Sequence, residues 1–239
     1  MTRAVVLAAG TGQRLGGRTA DTPKPLVTIG GLPLIAHTIS GLAAAGVDEA
    51  LVVTGYHCAL VRAALARENR VRLTFAENRD FAKGASYSLR AARAFAGEAP
   101  FLLVMSDHLL SGELLARLIA AGEEAPPGLA AMVAVDDPGH WDAAYLAEAT
   151  RDDAGPDGHI RQIGKLIEPW TAIDAGAFYC FPALWPLVDD APEDCDLSTI
   201  LRLAARSGSL AATDITGAFW YDVDTEEDLQ AAERLLCGS

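Results

Sequence analysis

From Val5 to Gly16 the chain reads VVLAAGTGQRLG, an apolar strand that runs into a glycine-rich, basic loop. Glycines at 10, 12, 16 and 17 let backbone N–H groups approach phosphate oxygens, and strand ends are where such cradles form. Arg14 brings planar, multidentate donors to that loop, and Lys24 in TPKPL brings a compact point charge. Pro23 and Pro25 restrict the backbone on either side of Lys24 and aim its side chain. Asp107 ends the apolar run FLLVMSD, while Asp222 and Asp224 stand two apart in WYDVD and share one face of an extended chain. Carboxylates from two distant segments that meet in one cleft suit Mg2+, which takes oxygen ligands and keeps waters and substrate phosphates. The competing reading makes Asp107 a helix cap and the other two aspartates a turn before Thr225.

Two common phosphate-binding patterns fail. A dinucleotide fingerprint needs a third glycine where Leu15 stands, and a P-loop needs Gly-Lys followed by Ser or Thr. The first failure removes the basis for a nicotinamide-dependent dehydrogenase. A formal charge of −13 over 239 residues argues against nucleic acid or an anionic membrane surface as the main partner. A polyanion site must then gather its cations locally or use a metal. Cys58, Cys180, Cys195 and Cys237 have neither zinc-ligand nor redox spacing, which reads as free thiols in a reducing cytoplasm. The N-terminus enters a strand at once, with no secretory pattern, and no apolar run is long enough for a membrane span.

These residues require a scaffold that brings them together. AVVLAAG, EALVVTG, VRLTFAE and FLLVMSD read as strands, separated by helical stretches that include residues 32–46, ALVRAALARE and ASYSLRAARAFAG. That alternation predicts a parallel sheet covered on both faces, with ligands at the carboxyl ends of its strands. After Leu110 the pattern turns mixed. A helix (GELLARLIAAG) and a strand (AAMVAVDD) are followed by AYLAEATRDDAGPDGHIRQIGKLI and AIDAGAFYCF, which read as strands around a turn at residues 155–158. DLSTILRLAARSG reads as a helix, and TEED from Thr225 as a capping box before a final amphipathic helix. The expectation is a single domain over residues 1–239, with a nucleotide-binding lobe to about 110 and an acceptor-binding lobe from about 111.

LAAGTGQRLG…TPKPL, MSDH and WYDVDTEEDL together resemble the nucleotidyltransferases that join a nucleoside triphosphate to a phosphorylated acceptor, over essentially the whole chain. KGASYSL, IGKLIEPWTAIDAGAF and WYDVDTEED look most like CTP:inositol-1-phosphate cytidylyltransferases; phosphocholine and phosphonate cytidylyltransferases look similar but less closely. Several relatives carry Gly at the position of Ser106 and Thr at that of Ala175.

The resemblance implies a Rossmann-like, glycosyltransferase-A-like α/β fold, a mostly parallel sheet with antiparallel strands in the second half. It implies that Ala8, Ala9 and Gly10 pack on cytosine and ribose, and that Gly84, Ala85, Ser86 and Ser88 read the base. Gly12, Arg14 and Lys24 would hold the triphosphate, Asp107 and Asp224 the Mg2+ with Asp222 nearby. Lys165, on a second-half strand, would meet the acceptor phosphate, and Asp174 its hydroxyls. Tyr87 and Leu89 read as core, the four tryptophans as packing, and His108 as a structural hydrogen-bonding group rather than a general base.

A phosphomonoester is already a nucleophile at neutral pH, because its second pKa lies near 6. Catalysis then needs positioning and charge stabilisation by Mg2+, Arg14 and Lys24, without a catalytic base. The expected partners are CTP and a small phosphorylated alcohol, with the product passing to a separate membrane transferase, and a homodimer as a possible assembly. UTP or GTP with a sugar 1-phosphate is the alternative within the enzyme class. A catalytically inactive nucleotide-binding regulatory subunit is the alternative outside it.

Overall fold

The computed structural model describes residues 1–12, 15 and 22–237. The first half runs β1 (Arg3–Ala8), a 3-10 turn at Lys24–Leu26, β2 (Thr28–Ile29), β3 (Leu32–Pro33), α1 (Leu34–Ala44), β4 (Glu49–Thr54) and α2 (Cys58–Ala64). It continues with β5 (Arg72–Glu77), a 3-10 turn at Phe81–Lys83, α3 (Ala85–Ala96) and β6 (Phe101–Met105). Then come β7 (His108–Leu110), α4 (Gly112–Glu123), β8 (Ala131–Asp136), α5 (Ala143–Glu148), β9 (Arg151–Ala154), β10 (Ile160–Gly164) and β11 (Ala172–Cys180). α6 (Leu184–Asp190), α7 (Leu197–Arg206), β12 (Leu210–Asp214), β13 (Trp220–Asp222) and α8 (Glu226–Cys237) complete the chain.

A nine-stranded sheet carries the order β10-β9-β11-β6-β1-β4-β5, with β8 also on β11 and β12 on β8. The predicted parallel half is β6-β1-β4-β5. β11 runs antiparallel to β6, β8 and β9, which is the mixed second half. Alternate residues of β1 feed different cores. Ala4, Val6 and Ala8 pack with Ile35, Ile39 and Leu42 of α1 and with α4, whereas Val5 and Leu7 pack with Leu89 and Ala92 of α3 and with α6 and α7. Each fully buried Leu or Val contributes roughly 1.5–3 kcal/mol, so burial on both faces explains why β1 and β6 show no polar alternation.

Several local expectations need correction. AYLAE is the short helix α5 rather than a strand, because Asp142 caps it by accepting the Tyr145 N–H at 2.9 Å. Lys165 lies in the exposed turn after β10, not on a strand. The helix expected over residues 32–46 is shorter: Leu32 and Pro33 form β3, and α1 covers Leu34–Ala44. Tyr87 is half-buried, with the Lys83 ammonium 5.3 Å from its ring centre, so only Leu89 of that pair is core. The capping box at α8 forms as expected: Thr225 Oγ1 accepts the Asp228 N–H, and Asp228 Oδ2 accepts the Thr225 N–H at 2.8 Å. Cys58, Cys180 and Cys195 are free. Among the described residues no helix is long and apolar enough to cross a membrane.

Candidate active site

Beyond β6 the chain passes through Ser106 and Asp107 into β7, which pairs antiparallel with β13 and sets Asp222 opposite His108. This pairing brings segments more than a hundred residues apart into one two-stranded ribbon, and it gathers Asp107, His108, Asp222 and Asp224. The Val223 N–H donates to the Asp107 carbonyl at 3.1 Å, and the Asp224 N–H donates to Asp228 Oδ2 at 3.1 Å, so the capping box also holds the backbone of Asp224. Behind the ribbon, Asp136 Oδ2 accepts the indole N–H groups of both Trp141 and Trp220 at 2.9 Å. Trp141 stacks on Tyr145 with ring centres 4.2 Å apart. The tryptophans are packing residues, as read from the sequence.

Lys24 enters from the other side on its 3-10 turn. Its Nζ lies 2.7 Å from Asp107 Oδ2 and 2.6 Å from Asp224 Oδ1, and the residue is 8 % exposed. Gly12 makes that approach possible: a Cβ there would stand 2.5 Å from the Lys24 Cβ, and φ is +68°. Gly176 does the same for His108, since its Cβ would fall 2.2 Å from the imidazole ring.

The charged groups form an alternating row, Asp224–Lys24–Asp107–His108–Asp222, with His108 Nδ1 2.9 Å from Asp107 Oδ1 and 3.6 Å from Asp222 Oδ1. Burial alone would depress the Lys24 pKa, but Asp107, Asp224 and Asp222 outweigh it and raise it above its usual value. Burial also opposes charging of His108, and Asp222 and Asp107 overcome it and lift its pKa to about 9. Burial would raise Asp107, yet Lys24 and His108 hold it well below the ordinary carboxylate range. Asp222 goes the other way, pushed up to about 6 by burial despite His108.

The donor set fits a divalent cation. One ligand atom each from Asp107, His108 and Asp222 lie within 4.8 Å of one another. Asp222 Oδ1 is buried without a hydrogen-bond partner. Lys24 already places a positive charge between Asp107 and Asp224. Carboxylate oxygens of this kind suit Mg2+.

Next to the row lies a cavity of about 240 Å³, lined by Leu7, Ala9, Gly10, Gly84, Ala85 and Ser88 and also by Lys24, Ser106 and Asp107. The sequence-derived set is therefore largely brought together, with exceptions. Ala8 points into the opposite core, because it follows Ala4 and Val6 on the even face of β1, and Leu7 lines the cavity instead. Ser86 is turned away: its N–H donates to the Cys195 carbonyl at 3.2 Å and its hydroxyl to the Glu193 carbonyl at 2.5 Å. It ties α3 to the segment before α7 and has no free donor for a base. Ser88 lines the cavity, and its Oγ accepts from Asn78 Nδ2 at 2.9 Å.

Arg14, Gly16 and Gly17 lie outside the described residues. Asp174 sits on β11 within the electrostatic reach of His108 and Asp222; burial raises its pKa to about 6, and a hydrogen bond from the Gly176 N–H partly offsets this. Sequence reasoning missed Phe81, Met105 and Ser106 as cavity walls, and Asp152, which is fully buried with neither carboxyl oxygen hydrogen-bonded. Met105 and Ser106 could have been found from their place at the end of β6. Phe81 and Asp152 carry no local signal.

Known proteins resemble this chain in sequence and fold. A Rubrobacter xylanophilus protein described as a bifunctional IPC transferase and DIPP synthase is 32 % identical over 238 residues, covering 98 % of this chain and 52 % of the relative. The chain thus spans about half the length of that relative. A Haloferax volcanii UTP–glucose-1-phosphate uridylyltransferase is 30 % identical, covering 98 % of this chain and 96 % of its own length. The solved structure of the inositol-1-phosphate CTP transferase from T. maritima superposes with a TM-score of 0.82 at 23 % identity, over 98 % of this chain and 96 % of that one. That likeness establishes the glycosyltransferase-A-like nucleotidyltransferase fold. Residues 4–168 match the family described as the MobA-like NTP transferase domain, and with most of its length inside that match the chain belongs to this nucleotidyltransferase family.

Proposed function

We propose that the chain is a cytidylyltransferase that joins CTP to inositol 1-phosphate, giving a CDP-alcohol and pyrophosphate. The observation that supports this most is that Lys24 bridges Asp107 and Asp224 and, together with Asp107, lines the cavity beside Ala9 and Gly10. An oxygen of the acceptor phosphate attacks the α-phosphorus of the triphosphate, and the bond from that phosphorus to the pyrophosphate oxygen breaks. Ala9, Gly10, Gly84, Ala85 and Ser88 form the walls that receive the nucleoside. Lys24 supplies positive charge to the phosphates, together with Arg14. Asp107, Asp222 and Asp224 hold Mg2+, which when bound neutralises the charge that builds on the phosphates. Asp174 orients acceptor hydroxyls, and Lys165 meets the acceptor phosphate. No residue is asked to remove a proton, because the nucleophilic oxygen is already ionised at neutral pH. What the protein contributes is alignment of two mutually repelling anions and stabilisation of the transition-state charge.

This reading places the reaction in the cytoplasm, with the product passed to a membrane transferase. CTP and inositol phosphate are supported by the names of the Rubrobacter and T. maritima proteins. The second reading, UTP with a sugar 1-phosphate, is favoured by the Haloferax relative, which this chain covers nearly in full. Pyrophosphate release measured over four triphosphates, each with inositol 1-phosphate, glucose 1-phosphate, phosphocholine and a phosphonate, separates them. Turnover with CTP and inositol 1-phosphate above every other pair is expected. A preference for UTP and glucose 1-phosphate would replace the first reading, and nucleotide binding without turnover would point to a regulatory subunit.

A further inference from the structure

We propose that Lys24 is an internal counter-cation that keeps a divalent metal off Asp107 and Asp224 until the nucleotide arrives and draws its ammonium away. This rests on the reading of those two aspartates as metal-holding groups. Lys24 Nζ is within 2.7 Å of one oxygen of each carboxylate, so a single ammonium bridges the pair. The second oxygen of Asp107 faces His108 Nδ1 at 2.9 Å. Both oxygens of Asp107 are thus engaged by donors, and a divalent ion has to displace one of them. An ion and an ammonium sharing the same oxygens would also repel each other strongly in a site shielded from solvent.

Lys24 is placed to be released by substrate. It lines the same cavity as Gly10 and Gly84, and its aliphatic stem rests against Gly12. A triphosphate in that cavity offers the ammonium several anionic oxygens in exchange for two carboxylates. Movement of Lys24 from carboxylate to phosphate frees oxygens for the metal in the step that also delivers the metal's remaining ligands. Binding of metal and nucleotide then becomes mutually dependent, and by linkage each raises the affinity of the other by the same factor. The same ammonium also fixes the carboxylates of Asp107 and Asp224 relative to each other.

The experiment is Mn2+ binding followed by electron paramagnetic resonance, on the purified chain with and without CTP, for wild type, Lys24→Met and Lys24→Arg. Wild type and Lys24→Arg are expected to bind Mn2+ weakly alone, and wild type to gain affinity with CTP. Lys24→Met is expected to bind Mn2+ at least about tenfold more tightly than wild type in the absence of nucleotide, a difference of about 1.4 kcal/mol. A second readout tolerates partial destabilisation of the variant: Mn2+ should raise the melting temperature of ligand-free Lys24→Met and leave that of wild type nearly unchanged. Equal Mn2+ affinity in ligand-free wild type and Lys24→Met overturns the proposal, whatever the turnover. Absence of pyrophosphate release by wild type with every triphosphate overturns the functional reading instead, whatever the Mn2+ result.

Discussion

Replacing Asp136 by Asn should destabilise the protein by about 2–4 kcal/mol, and the size follows from what the carboxylate holds. Asp136 is 6 % exposed, and Oδ2 accepts both the Trp141 and the Trp220 indole N–H at 2.9 Å. Its other oxygen accepts the Asp137 N–H at 2.8 Å, a contact that Asn can keep. The amide nitrogen that replaces Oδ2 is a donor, so two indole N–H groups lose their acceptor. Hydrogen bonds to a charged group contribute roughly 1.5–3 kcal/mol each, or about 3–6 kcal/mol for two. Relief from burying a carboxylate offsets part of this. Urea unfolding followed by far-ultraviolet circular dichroism measures the change without relying on the altered tryptophans. Trp141→Phe in both backgrounds should cost less in Asp136→Asn than in wild type, because the acceptor is already gone. A loss below about 1 kcal/mol, or full additivity with Trp141→Phe, would refute the reasoning. The result bears on function because Trp220 lies two residues before Asp222 on β13, so the same bonds set the ribbon that presents the acidic row.

Lys24→Ala and Asp107→Asn should each lower turnover at least about 10²-fold, the scale of one lost transition-state contact; steady-state pyrophosphate release on the folded variants checks this. Asp152→Asn should stabilise the chain increasingly as pH rises from about 4. Burial and Asp174 raise the Asp152 pKa in the folded state, so its stability contribution is full below the unfolded pKa and is lost as pH rises through the folded one. Melting temperatures from pH 3 to 8 should show a gap that opens with pH, and a constant gap would count against it. Gly176→Ala should cost more than about 2 kcal/mol in urea unfolding, since it combines overpacking against His108 with an unfavourable positive φ of +71°.

Much of this site is legible without coordinates. Lys24 between two prolines, Asp107 at the end of an uninterrupted apolar strand, and the Asp222/Asp224 pair all declare a charged cluster at a sheet edge. The strands AVVLAAG, EALVVTG, VRLTFAE and FLLVMSD form the parallel half of the sheet as their pattern indicates. AYLAE shows no helical pattern because a six-residue helix has too little length to show a period, and its start depends on one cap at Asp142. The role that the resemblance implies for Ala8 does not transfer, because Ala8 shares the even face of β1 with Ala4 and Val6 and packs in the core there. Ser86 and Ser88 look equivalent in ASYSL. Only the carbonyls of Glu193 and Cys195, more than a hundred residues away, separate the structural serine from the one that lines the cavity.

The sequence by itself determined the kinds of groups present and the local geometry that aims them: a glycine turn after a strand, a lysine held by prolines, and carboxylates at strand ends. These depend on backbone sterics and periodicity, which act over a few residues. The tertiary structure decided which charges meet. That β7 pairs with β13, that Lys24 bridges Asp107 and Asp224, and that Asp136 gathers two tryptophans are contacts between distant segments. Their energy comes from burial and hydrogen bonding that exist only once the whole sheet has assembled, so no local pattern encodes them.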